Sequence, residues 1–152
     1  QSKRRAGAAR RPRRVSGVLR LIGDLASPPI AAFDAPDLSV LLSGATGGWL
    51  GASLYLRELC SREEGAPPPV DLAAERRNGD LIQDLIARGI VNRCHDLSDG
   101  GLLVGIAEMA LAGGVGAKIE VPADDVPSHA WLFGEDQARY LVAVADPSTV
   151  LE

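Results

Sequence analysis

Short runs of apolar residues, separated by polar and proline-rich stretches, predict most of the strands of this chain. The dense runs "LSVLLSG" (38–44) and "ARYLVAVAD" (138–146) are typical of buried strands, and the second is apolar enough for the centre of a sheet. We expect further strands over "GVLRLIGDL" (17–25) and "IVNRCHDLS" (90–98). The alternation in "AKIEVP" (117–122) predicts a half-exposed strand.

Apolar residues recur at helical spacing in other segments. A short helix is predicted over 50–60, where Gly51 indicates close packing because glycine otherwise weakens a helix. A longer helix is predicted from an N-cap at Asp71 to about Arg88, and Gly89 fits the position that ends it. Its apolar face consists of Leu81, Ile82, Leu85 and Ile86.

The second half of the chain contains two further helix signals. One helix is predicted from Gly101 to Ala112, with the glycine pair 113–114 as its stop. Its apolar face consists of Leu102, Ile106 and Met109. Asp146 followed by Pro147 predicts the start of another helix, with Asp146 as the N-cap. The segments 26–37 and 124–136 are predicted as loops, the second with room for a helical turn.

Strands and helices therefore alternate, which favours an α/β or α+β domain with helices packed on a layered mixed sheet. We expect residues 1–16 to form a basic disordered arm and residues 17–152 to form one domain, incomplete at both ends. A chain of 152 residues is long enough for one hydrophobic core.

Composition narrows the class of protein. Apolar residues make up 46% of the chain, and none of their runs approaches the roughly 18 residues that span a bilayer, so no membrane is expected as a partner. Cys60 and Cys94 lie outside any metal or disulfide motif and are expected to be reduced thiols, at least partly buried, in a cytoplasmic protein.

The net charge of −4 conceals a strongly basic start. Residues 1–14 carry Lys3 and six arginines and no acidic residue. Such an arm can bind nucleic acid by neutralising phosphates, but it contains no aromatic residue that could stack on a base. We therefore expect a disordered tail and not a nucleic-acid-binding arm.

The chemistry of the chain is concentrated in "HDLSDGGLL" (95–103), between a predicted strand and a predicted helix. In one interpretation, Ser98 or Asp99 caps the helix and the glycines allow a tight turn. In the other, the amides at the start of the helix bind a phosphate, and a carboxylate upstream holds Mg²⁺. The residues alone leave both interpretations open.

Three segments resemble one known family. "HDLSDGGLLVGIAEMALAGGVGAKIEVP" (95–122) is similar to the carboxy-terminal domain of phosphoribosylformylglycinamidine synthase, the synthetase of purine biosynthesis. "LSGATGGWLGASLYLRELCSREEGAPPPVDLAAERRNGDLIQDLI" (42–86) and "LFGEDQARYLVAV" (132–144) resemble the same domain, in the same order. The resemblance extends over about residues 17–152 and implies the fold of the aminoimidazole ribonucleotide synthetase superfamily.

The resemblance also implies a function. Members of the family are ATP-dependent ligases that convert formylglycinamide ribonucleotide and glutamine-derived ammonia into the amidine, and they require Mg²⁺. In the bacterial small form, a glutaminase subunit and a small bridging subunit complete the enzyme. The ATP-binding domain of the same protein, with the main catalytic residues, has no counterpart here, so we expect no catalytic residue in this chain and no activity of the chain alone.

Individual residues match the family's motifs. The resemblance assigns Asp96 to Mg²⁺ at an auxiliary nucleotide site, Ser98 to the nucleotide, and Asp99, Gly100 and Gly101 to the same nucleotide-binding turn. His95 belongs to the motif but receives no chemical role.

In "FGEDQARY" (133–140), the polar residues Glu135, Asp136 and Gln137 are candidates for a substrate or domain contact, or simply for a polar loop before a strand. The family has glycine where Ala138 stands.

Two alternatives remain at this stage. One is another synthetase of the same superfamily, such as a relative of thiamine-phosphate kinase or selenophosphate synthetase. The other is a non-catalytic module or gene remnant with a basic nucleic-acid-binding arm.

Overall fold

The computed structural model describes residues 28–123 and 125–151. Three strands are present in this part of the chain: β1 (Ser39–Ser43), β2 (Cys94–Asp96) and β3 (Tyr140–Val144). The helices are α1 (Leu72–Ala87), α2 (Gly101–Gly113), α3 (Ser128–Phe133) and α4 (Ser148–Leu151), and a π-helical turn spans Tyr55–Leu59. The predicted arm (1–16) and the predicted strand over 17–25 lie outside the described residues.

The strands form one antiparallel sheet with the order β1-β3-β2. Ser39 pairs with Val144, and Asp96 pairs with Tyr140. A parallel bridge between Ile30 and Arg93 extends the β2 side. The prediction that 138–146 contains a central strand is confirmed, because β3 pairs on both of its edges.

Side chains of β3 alternate between two cores, as the two-residue period of a strand requires. Leu141 and Ala143 pack on one side of the sheet, against Phe33 and the buried face of α2. Val142 and Val144 pack on the opposite side of the sheet. The α1 residues Ile82 and Leu85 and the following Val91 complete that second core. Helices therefore cover both faces of the sheet, which confirms the expected α/β class with helices packed on a sheet; β1, β2 and β3 pair antiparallel, and the bridge between Ile30 and Arg93 is parallel.

The predicted ends of α1 are confirmed. The Asp71 carboxylate accepts hydrogen bonds from the amides of Ala73 and Ala74, at 2.9 and 3.0 Å. At the other end, Gly89 has φ +71°, and its amide donates to the Ile86 carbonyl at 2.9 Å. The amide of Ile90 donates to the carbonyl of Leu85 at 3.0 Å, which completes a Schellman motif.

Three segments differ from their predictions. The helix expected over 50–60 is reduced to a π-helical turn, because Ala52 has φ +58° and interrupts the helical path. The predicted packing of Gly51 is confirmed, since a Cβ atom there would overlap the backbone of Ala66. Residues 117–122 contain no strand; instead of a strand partner, Ile119 provides the anchor by packing on the α2 core.

The third difference concerns the strand predicted over 90–98, of which only Cys94–Asp96 pairs with β3. The expectation of burial fails for Cys60, which is exposed, whereas Cys94 is half-buried. Burial and the nearby Asp96 charge raise the pKa of the Cys94 thiol. Asp146 caps α4 as predicted, since its carboxylate accepts a hydrogen bond from the Ser148 amide at 3.0 Å.

Candidate functional site

The segment Asp96–Gly101 connects the end of β2 to the start of α2. Its side chains fall into two groups. Asp96, Ser98 and Asp99 are exposed, whereas Gly100 and Gly101 are buried. A ligand can therefore reach the three polar side chains, but the two glycines contribute to packing inside the domain.

A cavity of about 620 Å³ lies beside the end of β2. Asp96 and Ser98 line it from one side and Gln137 from another. Asp99, Gly100 and Gly101 are absent from its lining. Asp99 instead lies close enough to Arg57 to contribute to the raised pKa of that guanidinium, for which the hydrogen bond to Glu58 is the largest cause. The structure therefore brings Asp96, Ser98 and Gln137 together and places Asp99 elsewhere.

Two residues that the sequence did not single out also line this cavity. The Tyr140 hydroxyl donates a hydrogen bond to Oε1 of Glu75 at 2.8 Å and so connects β3 to α1. Burial, followed by the Glu75 contact, raises the pKa of Tyr140 to about 12. A weak signal for Glu75 was its place in the first turn of a capped helix; nothing in the sequence pattern distinguished Tyr140 from its apolar neighbours.

His95 takes a structural position. Its Nε2 lies 2.9 Å from Oε2 of Glu108 on α2, and its Nδ1 contacts the backbone oxygen of Asp96. The ring therefore connects β2 to α2. The same ring lines the cavity beside the end of β2.

The start of α2 is capped differently from the prediction. No side chain of Ser98 or Asp99 bonds to the helix amides; the N-cap is Gly100, with φ +82°. The Gly100 amide donates to Oε1 of Glu135 at 2.8 Å. The prediction of a cap by Ser98 or Asp99 was wrong because a carboxylate from a distant loop occupies that position.

Gly101 is required by packing. Its φ is +69°, and a Cβ atom there would lie 2.8 Å from the carbonyl carbon of Phe133 and closer still to the Gly134 oxygen. The end of α3 therefore covers the start of α2. This contact is the physical reason for the second glycine, and it leaves little room for a phosphate on the Gly101 backbone.

The segment Glu135–Gln137 makes contacts within the domain. Oδ2 of Asp136 accepts a hydrogen bond from the Gly48 amide at 2.9 Å. Gln137 is exposed, and its Nε2 donates to the Glu135 carbonyl at 3.3 Å. Among these three residues, only Gln137 faces the cavity.

The buried side chain of Arg139 stabilises the segment 134–137 through hydrogen bonds to its backbone. Only 1% of the residue is exposed, and its guanidinium donates to the carbonyls of Gly134 and Asp136, at 2.5 and 3.2 Å. Burial lowers the pKa of Arg139, opposed by the Asp136 charge. Arg139 directly precedes β3, and its burial is visible only in the fold.

The donor set fits one kind of metal site. Within residues 28–123 and 125–151, no three His, Cys, Asp or Glu side chains are grouped so that they could enclose a metal ion. Mg²⁺ commonly binds proteins through one or two carboxylates and takes its other ligands from water and a phosphate. The Asp96 side chain is 78% exposed and is suited to that role. A closed metal site needs several protein ligands, and Asp96 alone cannot form one.

Known proteins match this chain in sequence and in fold. The family model described as "AIR synthase related protein, C-terminal domain" matches residues 35–152. The chain is 55% identical over 130 residues to "Phosphoribosylformylglycinamidine synthase subunit PurL" of Rhodopseudomonas palustris (strain BisB5), which covers 86% of this chain and 18% of that protein. A protein of the same name from Nitrobacter hamburgensis is 56% identical over 84% of this chain and 17% of its own length.

Solved structures show the same fold. "T. maritima PurL complexed with ATP" matches with a TM-score of 0.58 and 21% identity, over 81% of this chain and 20% of that one. "Structure of PurLQS from Thermotoga maritima" matches with a TM-score of 0.59 and 23% identity, over 80% of this chain and 20% of that one. The chain spans less than a fifth of the length of the two PurL relatives from Rhodopseudomonas palustris and Nitrobacter hamburgensis.

None of the helices in the described ranges is long and apolar enough to cross a membrane.

Proposed function

The chain belongs to the AIR synthase related protein, C-terminal domain family, and we propose that it is a segment of the synthetase subunit of phosphoribosylformylglycinamidine synthase. The observation that carries this proposal is the identity of 55% to a PurL subunit over 86% of the chain. The names of these relatives favour this enzyme over other synthetases of the superfamily. The alternative of a nucleic-acid-binding arm concerns residues 1–14, which lie outside the described residues.

The proposed reaction is the ATP-dependent conversion of formylglycinamide ribonucleotide and ammonia into the amidine, in the cytoplasm. Phosphoryl transfer from ATP needs several positioned charges around the nucleotide. The cavity beside β2 has one exposed carboxylate suited to Mg²⁺, that of Asp96. The remaining groups would come from the ATP-binding domain of the same protein, with ammonia from a glutaminase subunit and contacts from a small bridging subunit.

At the cavity, we assign Asp96 to Mg²⁺ and Ser98 to the nucleotide. When bound, Mg²⁺ would neutralise phosphate charge. The Asp96 carboxylate would orient the ion, and the Ser98 hydroxyl would donate a hydrogen bond to the nucleotide. Asp99, Gly100 and Gly101 would act by shaping the turn that presents these two side chains. Gln137 faces the same cavity and is a further candidate for a polar contact.

A chimera tests the proposal. In full-length PurL of Rhodopseudomonas palustris, the segment matched by this chain is replaced with the corresponding residues of this chain. We expect formation of the amidine from formylglycinamide ribonucleotide, Mg-ATP and ammonia at a rate close to that of the parent. A folded chimera without this activity would refute the assignment to this enzyme.

The site assignment has its own control. In the chimera, Asp96→Asn is expected to weaken Mg²⁺-dependent ATP binding, measured by calorimetry. Asp80→Asn is the matched control, because Asp80 is also exposed but lies on α1, in an ion pair with Arg76, and does not line the cavity. Equal binding by the two variants would count against Asp96 as the Mg²⁺ ligand.

A further inference from the structure

Two segments of backbone meet at the side chain of Glu135. One is the glycine turn, defined as residues 98–101, and the other is the adjoining loop, defined as residues 48–54. The amides of Gly100 and Leu54 both donate to the same oxygen, Oε1 of Glu135, each at 2.8 Å. A single carboxylate oxygen therefore joins two segments that are distant in sequence.

Glu135 is itself held firmly. Its amide donates to the Trp49 carbonyl at 2.8 Å. The neighbouring Asp136 accepts from Gly48 at 2.9 Å, so the adjoining loop is bound to both residues. On the other side, buried Arg139 donates to the Gly134 carbonyl. The Glu135 carboxylate therefore occupies a fixed position between the two segments.

The charge of Glu135 suits this position. The first turn of α2 has free amides and the positive end of the helix dipole, both of which favour an anion. In this fold the anion is a carboxylate of the same chain. A phosphate on the Gly100 amide would have to displace this carboxylate, whereas the exposed side chains of Asp96, Ser98 and Gln137 are open to a ligand in the cavity.

We infer that Glu135 is a positioning residue for the nucleotide site: through the Gly100 and Leu54 amides, it fixes the turn that follows Asp96 and carries Ser98. It does not line the cavity and does not touch the ligand. This inference rests on the proposed function, because the ligand is the Mg-nucleotide proposed there.

The test compares variants in the full-length chimera, with Mg-ATP affinity measured by calorimetry. We expect Glu135→Ala to weaken Mg-ATP binding about tenfold, because the turn that carries Ser98 loses the bond that fixes it; groups that orient metal ligands have effects of about this size. Glu135→Gln keeps an oxygen that can accept both amides and is expected to stay within about threefold of the parent. Added formate is expected to restore part of the affinity of Glu135→Ala, because it can occupy the vacated position at the start of α2.

Asp71→Ala is the matched control. Asp71 also accepts hydrogen bonds from two amides at the start of a helix, but it does not line the cavity. We expect this variant to lower stability and leave Mg-ATP affinity unchanged. If Glu135→Ala and Asp71→Ala bind Mg-ATP equally well, or formate has no effect, Glu135 is only a stabilising residue and the inference is wrong.

A second readout separates this inference from the proposed function. An unmodified chimera that binds no Mg-ATP would refute the proposed nucleotide site. Amide hydrogen exchange in the 152-residue chain tests independently whether Glu135 fixes the glycine turn and the adjoining loop. We expect faster exchange at Gly100 and Leu54 in Glu135→Ala than in Asp71→Ala. Unchanged exchange at both amides would overturn the inference.

Discussion

Replacement of Gly101 by alanine tests whether this buried glycine at the start of α2 serves packing. Gly101 combines a left-handed backbone with a close contact, since φ is +69° and a Cβ atom would lie 2.8 Å from the carbonyl carbon of Phe133. The left-handed conformation costs a residue with a Cβ atom about 1–2 kcal/mol. Forcing an extra carbon into a packed interior costs about 1–3 kcal/mol more. We therefore expect Gly101→Ala to lower the free energy of unfolding by about 2–5 kcal/mol.

Other glycines separate the two contributions. Gly114 and Gly89 have φ +67° and +71°, and a Cβ atom on either would meet nothing within 4 Å. Alanine at these positions should cost only the conformational part, about 1–2 kcal/mol. Gly113 has ordinary helical geometry, but a Cβ atom there would overlap the backbone of Phe33. Gly113→Ala should therefore show the packing cost by itself.

Urea denaturation of the chain, followed by circular dichroism, measures all four variants. The reasoning requires Gly101→Ala to cost clearly more than Gly114→Ala and Gly89→Ala. If the three variants unfold at the same urea concentration with equal slopes, α3 does not press on the start of α2 in solution. Gly101 would then be available to a ligand, and the phosphate interpretation of the turn would return.

Three further variants test other parts of the structure. Ala138 has φ +60°, so Ala138→Gly is expected to raise the melting temperature by a few degrees, about 1 kcal/mol; a lower melting temperature would show that the segment adopts another backbone. The amides of its helix lower the pKa of Asp71, so the stability difference between the parent and Asp71→Ala should be complete above about pH 4 and shrink as the pH falls further; a difference that persists in acid would contradict the cap. Tyr140→Phe should lower the free energy of unfolding by about 1.5 kcal/mol through the lost bond to Glu75. Because the pKa of Tyr140 is raised to about 12 in the folded chain and stays near 10 in the unfolded chain, this difference should be constant below about pH 10 and decline between pH 10 and 12; denaturation at pH 9 and pH 11.5 checks it.

Local patterns predicted the parts of the fold that depend on neighbouring residues. The N-cap at Asp71 and the left-handed Gly89 follow from the chemistry of helix ends, which acts over a few residues. The apolar run in β3 predicted a central strand because only a strand covered on both faces tolerates such a run. The strand predicted over 117–122 from alternating apolar and polar residues was wrong. The same alternation occurs in an irregular segment that one apolar side chain, Ile119, anchors to the core.

The candidate site also contains features that the sequence predicts and contacts that only the fold shows. The position of Asp96 and Ser98 between a strand and a helix was predicted from the sequence, and the structure shows that both residues are exposed there. The cap by Glu135 was not, because no pattern within the turn indicates which distant carboxylate reaches its amide. The pairing of Tyr140 with Glu75 likewise depends on α1 lying across β3.

By itself, the sequence determined the strands β1 and β3, the helices α1 and α2 with both ends of α1, and the resemblance to a synthetase domain. These features arise from interactions over a few residues or from motifs that stay contiguous in the chain. Only the tertiary structure decided that Gly101 packs under α3, that Arg139 is buried and that Glu135 caps α2. Each of these depends on contacts between segments far apart in sequence, and the position of such contacts is fixed by how helices cover both faces of the sheet.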